Sequence, residues 1–241
     1  FRDILLDFED LLRGGFRRAR ETGEPVRVVE PPADGGGASA KKAASPGSGV
    51  PSAGGADRSG LLDAVAAEVT SCALCRLAAG RKHAVPGTGV PDPLVLVIGE
   101  GPGAEEDVQG LPFVGPAGRY LDTWLEAVGM SRRTNVFVAN IVKCRPPGNR
   151  DPAPDEAAAC FPYLERQADI LRPRAVLALG RVAARNLLAS TQGVGLLRGR
   201  THAWKGIPLV VTYHPSAVLR DPNLRRPVWE DLKKLKELVG L

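Results

Sequence analysis

Residues 94–107 read LVLVIGEGPGAEED: an apolar run, a glycine-rich turn and a cluster of acids in immediate succession. The apolar run has the length and branched content of a strand buried on both faces. Strand-like runs recur at 135–142, 175–179 and 208–212, and helical patterns lie near 61–70, 117–129, 155–171, 181–189 and 227–239. Strands alternating with helices predict an α/β protein, a three-layer α/β/α sandwich around a mostly parallel central sheet. Ligands of such sheets sit beyond the carboxyl ends of the strands, so the candidates are the residues that follow each one. They are GEGPGAEED from Gly99, NIVKCRPPGNR from Asn140, GRVAARN from Gly180 and YHPSAVLR from Tyr213.

The first of these turns is a poor phosphate cradle. No Lys-Ser/Thr pair follows the glycines, and Glu106 stands where a dinucleotide-binding turn needs its third glycine. A phosphate would also meet Glu100, Glu105, Glu106 and Asp107, which opposes its charge. Pro102 between Gly101 and Gly103 instead predicts a stiff turn bringing backbone N–H groups close to a flat or neutral ligand. The acids also have a plainer reading, as the first turn of a helix whose dipole they suit.

The chain has 241 residues, 44% of them hydrophobic, which is ample for a core. No run approaches a membrane span, and acids interrupt the apolar positions of FRDILLDFEDLLRGG, so a soluble cytoplasmic protein without membrane contact is expected. The first residue is Phe, so the start carries no argument. The net charge is +5, and Arg198–Leu241 alone has nine Lys/Arg against four Asp/Glu, which favours a polyanionic partner. Ile4, Leu5, Phe8, Leu11 and Leu12 fall on helical spacing within residues 1–22 and predict an amphipathic helix. Residues 32–60 are nearly all Gly, Ala, Ser and Pro and read as a tether. Residues 1–60 are thus an extension, suited to docking a protein partner, and 61–241 a globular domain that acts as a monomer.

Four cysteines are present: Cys72 and Cys75 in SCALC, Cys144 in KCRPP and Cys160 in AAACF. A C-x-x-C pair lets two thiolates reach one ion from a single turn, and two more complete a four-sulfur site. Two disulfides are disfavoured in a reducing cytosol, and unrelated buried thiols are the remaining reading. Zinc and an iron–sulfur cluster both accept such a set, so spacing leaves that choice open.

GEGPGAEED, LPFVGPAG, NIVKCRPPGNRDP and YHPS, with four cysteines in this order, resemble the family 4 uracil-DNA glycosylases, the iron–sulfur class of that superfamily. The resemblance runs from about Leu61 to Leu241 and leaves out residues 1–60. It implies a 4Fe-4S cluster on Cys72, Cys75, Cys144 and Cys160 in a structural role. It further implies the superfamily's α/β/α fold, a uracil-containing DNA substrate, single- or double-stranded, and hydrolysis of the N-glycosidic bond in base excision repair. The base must leave the duplex for a pocket, whose backbone wall Gly101 and Pro102 would help form.

The resemblance gives each remaining motif a role. Asn140 can accept from uracil N3–H and donate to O4, whereas cytosine presents the reverse pattern. Phe113 can stack on the flipped base. Glu106 is implied as the wall that excludes the thymine methyl. His214 can aim an N–H at uracil O2 and stabilise the anionic leaving group. Ser216 and Arg220 belong to the loop expected in the minor groove. His83 and His202 carry no comparable motif and read as structural. Better-known members of the superfamily place a water-positioning aspartate before the proline, where this chain has Gly101. Glu100 and Asn149 are the nearest polar candidates for handling water. Two other readings share these motifs: a DNA-binding relative that holds uracil or the abasic sugar without ordinary turnover, and a zinc-stabilised nucleotide-binding protein.

Overall fold

The computed structural model describes residues 55–241. The amphipathic helix expected over 1–22 and the tether up to residue 54 lie outside the described residues. Six strands form one sheet: β1 (Thr88–Gly89), β2 (Val95–Gly99), β3 (Val136–Asn140), β4 (Ala175–Leu179), β5 (Thr201–Trp204) and β6 (Ile207–Thr212). Their order is β1-β3-β2-β4-β6-β5. The four central strands are parallel, and the two edge strands run antiparallel to their neighbours. Eight α-helices are described: α1 (Gly55–Ser71), α2 (Ala104–Gln109), α3 (Pro116–Ala127), α4 (Pro154–Leu171), α5 (Gly180–Leu188), α6 (Val194–Leu197), α7 (Pro215–Arg220) and α8 (Arg225–Val239).

The uninterrupted apolar runs follow from burial on both faces. Leu96, Ile98, Ala139, Val176, Ala178, Leu209 and Val211 pack with Leu164, Ala168 and Leu171 of α4 and Ala183, Ala184 and Leu187 of α5. The alternate residues Val95, Val97, Val138, Leu177 and Val210 are equally buried. Against β4 and β6 lies α8, whose Val228, Leu232 and Leu235 are buried. The expected three-layer α/β/α arrangement around a mostly parallel sheet is what the chain adopts, the two antiparallel strands lying at the edges. No described helix is long and apolar enough to cross a membrane.

Several elements depart from the sequence reading. Helix α1 starts at Gly55, inside the segment expected to be tether. Two edge strands lie outside the strand-like runs of the sequence, for different reasons. Strand β1 has two residues, too few for a periodic signal, and Gly89 allows a backbone approach so close that a Cβ there would stand 2.2 Å from Val136 O. Strand β5 is half-exposed and polar, but Lys205 and Gly206 both have positive φ, at 52° and 77°, and form a two-residue hairpin turn. The plainer reading of the acids holds: Glu105, Glu106 and Asp107 fill the first turn of α2.

Candidate active site

The carboxyl ends of the four parallel strands bring the predicted motifs together. Gly99 and Asn140 are paired in the register of β2 and β3, and Leu179 and Thr212 in that of β4 and β6. Asn140 is buried, and its side-chain Oδ1 has no hydrogen-bond partner among the described residues. Gly99 is required beneath it. A Cβ at that position would stand 2.4 Å from the Phe113 ring and 2.5 Å from Asn140 Oδ1, so ring and amide converge on one point above the strand end.

Phe113 is buried and its ring centroid lies 5.7 Å from that of His214, the planes tilted by 32°. His214 caps the N-terminus of α7. Its Nδ1 accepts from the Ser216 backbone N–H at 3.2 Å and lies 2.8 Å from Ser216 Oγ. A backbone N–H can only donate, so Nδ1 is the bare nitrogen and the neutral ring carries its proton on Nε2. Burial, assisted by the charge of Arg220 and opposed by Glu106, pushes the imidazolium pKa down to about 4. The ring is therefore neutral at physiological pH, with one N–H to donate. Gly180, at φ 84°, makes room for it, since a Cβ there would sit 2.9 Å from His214 Cβ.

Glu106 is a brace. Its Oε1 accepts from the backbone N–H groups of Val114 and Gly115, each at 2.9 Å, and its Oε2 from Gly103 N–H at 3.1 Å. The carboxylate expected to face the thymine methyl is engaged in tying the GEGPG turn to the turn that carries Phe113. Pro102 is buried and Gly101 half-buried between them. A Cβ on Gly101 would stand 2.7 Å from Val142 Cγ2, so a buried valine occupies the volume that an aspartate there would need.

The two candidates for handling water differ sharply. Glu100 is half-buried, and its carboxyl pKa is raised to about 7, chiefly by burial and then by Asp151, with Arg181 and Arg185 opposing. Asp151 and Arg181 themselves pair at 2.6 Å. Asn149 is exposed at a left-handed backbone position, φ 54°, with its Oδ1 accepting from Arg145 Nε at 2.8 Å. No contact among the described residues ties it to Asn140, Phe113 or His214. Arg220 is exposed in the last turn of α7. His83 and His202 bond to the backbone oxygens of Asp107 and Leu197, as structural residues would.

All four cysteines are free thiols, and all four line one cavity with Lys143, Arg81 and Tyr163. Cys144 Sγ accepts from Arg81 Nη1 at 3.1 Å, and Cys160 Sγ from Lys143 N–H at 3.2 Å. No group of three or more His, Cys, Asp or Glu stands at single-ion spacing among the described residues. The segments bearing the cysteines meet at Glu156, a fully buried carboxylate on α4. It accepts from Arg76 Nε at 2.6 Å, Arg150 Nη1 and Nη2 at 2.8 and 2.6 Å, and Ala153 N–H at 2.8 Å. Arg76 follows Cys75, Arg150 follows the Cys144 segment, and Glu156 precedes Cys160 by one helical turn. Neither Glu156 nor Arg132, which holds the Phe113 turn, carries a sequence motif; each acts through partners distant in the chain.

A family model described as the uracil DNA glycosylase superfamily matches residues 86–233. Curated relatives include the type-4 uracil-DNA glycosylase of Sulfurisphaera tokodaii, 42% identical over 74% of this chain and 84% of its own. That of Saccharolobus solfataricus is 44% identical over 74% and 87%, and that of Thermotoga maritima 40% identical over 76% and 96%. With the family model spanning most of the described domain and these relatives nearly whole, the chain belongs to the uracil-DNA glycosylase superfamily and groups with its type-4 members.

Proposed function

We propose that this protein removes uracil from DNA by hydrolysing its N-glycosidic bond. The observation that carries the reading is the buried, unpartnered Oδ1 of Asn140 beside Phe113 and above Gly99. A buried acceptor left unpaired costs roughly 1–3 kcal/mol, and a base presenting an N–H edge between amide and ring relieves that cost. The type-4 names of the relatives support the same substrate.

The base is extruded and stacks on Phe113, while the Asn140 amide accepts from N3–H and donates to O4. As the bond from C1′ to N1 breaks, the electron pair passes to uracil, and His214 Nε2–H donates to O2 where the charge develops. The neutral ring supplies this donor at physiological pH with no need to take up a proton first. Ser216 fixes the tautomer. Water adds to C1′ and Glu100 takes its proton, for which a pKa of about 7 leaves a useful fraction ionised at neutral pH. Asn149 is the weaker water candidate, being exposed and bonded to Arg145. Glu106 shapes the wall against thymine through the backbone it holds, with Gly101 and Pro102 beside it. Ser216 and Arg220 stand on the loop that meets the DNA.

The same reading gives Cys72, Cys75, Cys144 and Cys160 a 4Fe-4S cluster. Support comes from the shared cavity, the absence of disulfides among these thiols, and the N–H donors on two sulfurs. When bound, the cluster would cross-link three chain segments and take no part in glycosidic chemistry. Free thiols also agree with a reducing cytoplasmic setting.

The deciding experiment incubates the full chain with single- and double-stranded uracil oligonucleotides and then cleaves abasic sites with alkali. Strand breaks are expected. A persistent shifted adduct would point to a covalent relative, and no product to a protein that uses the pocket otherwise. Absorbance and metal content of freshly purified protein separate an iron cluster from zinc.

A further inference from the structure

The ring of Phe113 is held by a backbone that needs external support. Its φ is 54°, a left-handed conformation that a bulky aromatic residue adopts rarely and at a cost. The turn lies between α2 and α3 in neither helix nor strand, so no ladder of hydrogen bonds fixes it. Charged side chains do so instead. Arg132, from the loop before β3, donates Nη1 to Pro112 O at 2.6 Å and Nη2 to Phe113 O at 2.8 Å. Its Nε donates to Asp122 Oδ1 on α3 at 2.7 Å. Arg119 donates to Val114 O at 3.0 Å, and Glu106 accepts from the N–H groups of Val114 and Gly115. Gly118 lets α3 come this close, since a Cβ there would stand 1.9 Å from Phe113 O.

Of these, Arg132 is the one that bonds the Phe113 carbonyl itself. Its side chain is only 17% exposed, and the guanidinium plane spans two successive carbonyls while Asp122 sets its orientation. A lysine ammonium has no fork with which to bridge all three acceptors. On the opposite side of the turn, the Phe113 ring faces Gly99, Asn140 and His214. A shift of the Pro112 and Phe113 carbonyls therefore moves the ring relative to the recognition amide.

We infer that Arg132 is a positioning residue for excision: it holds the left-handed turn at Phe113, keeps the ring in its stacking place, and acts on the reaction through that ring. The inference rests on the glycosylase reading above.

The test is a double-mutant cycle in single-turnover excision of uracil from a single-stranded oligonucleotide at saturating enzyme. It uses the full chain, its Arg132→Gln, Arg132→Lys and Phe113→Ala variants, and Arg132→Gln combined with Phe113→Ala. Thermal midpoints are measured alongside, and excision is assayed well below each. Phe113→Ala is expected to slow excision by about tenfold to a hundredfold, the range of one lost stacking contact. Each Arg132 variant alone should slow it about tenfold, yet Arg132→Gln should change it less than about twofold once the ring is gone. Arg132→Lys keeps the charge, so its loss of rate together with an unchanged midpoint identifies geometry as the cause. Equal losses from Arg132→Gln in both backgrounds, or a wild-type rate in Arg132→Gln, would overturn the inference while leaving Phe113 in its role. A wild-type rate in Phe113→Ala overturns the stacking assignment and the inference with it.

Discussion

At the scale of single residues, two ionisable groups with opposite shifts lie close to the pocket, and their signs can be separated by pH. The His214 imidazolium pKa is lowered to about 4, so the ring stays neutral throughout the range where the protein would be assayed. Glu100 is raised to about 7, so its carboxylate gains population as pH rises through neutrality. If Glu100 accepts the proton of water, single-turnover excision rises with pH across a limb near 7 and levels off above it. Glu100→Gln should flatten that limb. Asp151→Asn, which removes the negative neighbour that raises the pKa, should move the limb to lower pH. A limb unchanged in Glu100→Gln assigns the water to another group. Asn140→Ala and His214→Ala should each slow excision at least about tenfold, as the loss of one transition-state or recognition hydrogen bond of more than about 1.4 kcal/mol requires. Near-wild-type rates in both would remove the pocket assignment.

The glycine before the pocket proline is a packing requirement as well as a missing side chain. Val142 is fully buried, and its Cγ2 lies 2.7 Å from where a Gly101 Cβ would be. Installing the aspartate of other superfamily members at Gly101 should therefore destabilise the domain by about 1–3 kcal/mol, the usual cost of overpacking. Combining Gly101→Asp with Val142→Ala should recover part of this loss in a denaturant titration. No recovery would mean that the cost of the aspartate does not arise from its clash with Val142.

At the scale of elements, the Glu156 knot joins the segments that carry the cysteines. Arg150, and after the cost of burial Arg76 and the Ala153 N–H, hold its carboxyl pKa down to about 2. A depressed carboxylate stabilises the fold above its unfolded pKa, near 4.5, and loses that contribution as pH falls toward 2. Because both arginines are substantially exposed, they can turn to water when the carboxylate is removed. Glu156→Ala should then cost about 1–3 kcal/mol through the buried hydrogen bonds lost. If the four cysteines hold the proposed iron–sulfur cluster, the substitution should also speed iron loss to a chelator, with the visible absorbance decaying faster than in the parent. Equal decay rates would show that the cysteine segments hold together without the knot.

What could be read in advance divides along the same line. The strand at 175–179 coincides with β4, and Asn140 and His214 stand at the ends of parallel strands as the topology dictates, while Phe113 reaches them from the turn between α2 and α3. These features have a period, a motif or a topological rule behind them. Glu156, Arg132 and the bracing role of Glu106 have none, because their partners are set by tertiary contact between distant segments. The hairpin around Lys205 and Gly206 was available as a two-residue turn signal between half-polar flanks. Gly99, Gly118 and Gly180 are legible only once the neighbouring ring, carbonyl or imidazole is placed against them.

For the whole molecule, the question is where the folded domain begins. Helix α1 begins at Gly55, but Ser59 and Gly60 are exposed, and among the described residues Arg58 pairs with an exposed Asp92. Such a surface pair is worth about 0–1 kcal/mol. The anchors of α1 lie further on. Val65 and Val69 pack with Ala84 against Tyr163 and Ile170, and Glu68 pairs with both terminal nitrogens of Arg166 at 2.5 and 2.7 Å. Among the side chains described, the buried anchors of α1 thus lie beyond Gly60. A chain beginning at Gly55 should match the full chain in thermal midpoint and uracil excision. One beginning at Leu61 should lose no more than about 2–4 °C, the shift that about 1 kcal/mol produces in a domain of this size. Val65→Ala combined with Val69→Ala should exceed that loss, because two buried side chains leave cavities directly ahead of the turn that carries Cys72. A large loss on removing residues 55–60 would place the boundary at the start of the helix. A loss of excision in the chain beginning at Gly55, at an unchanged midpoint, would assign residues 1–54 a part in substrate engagement.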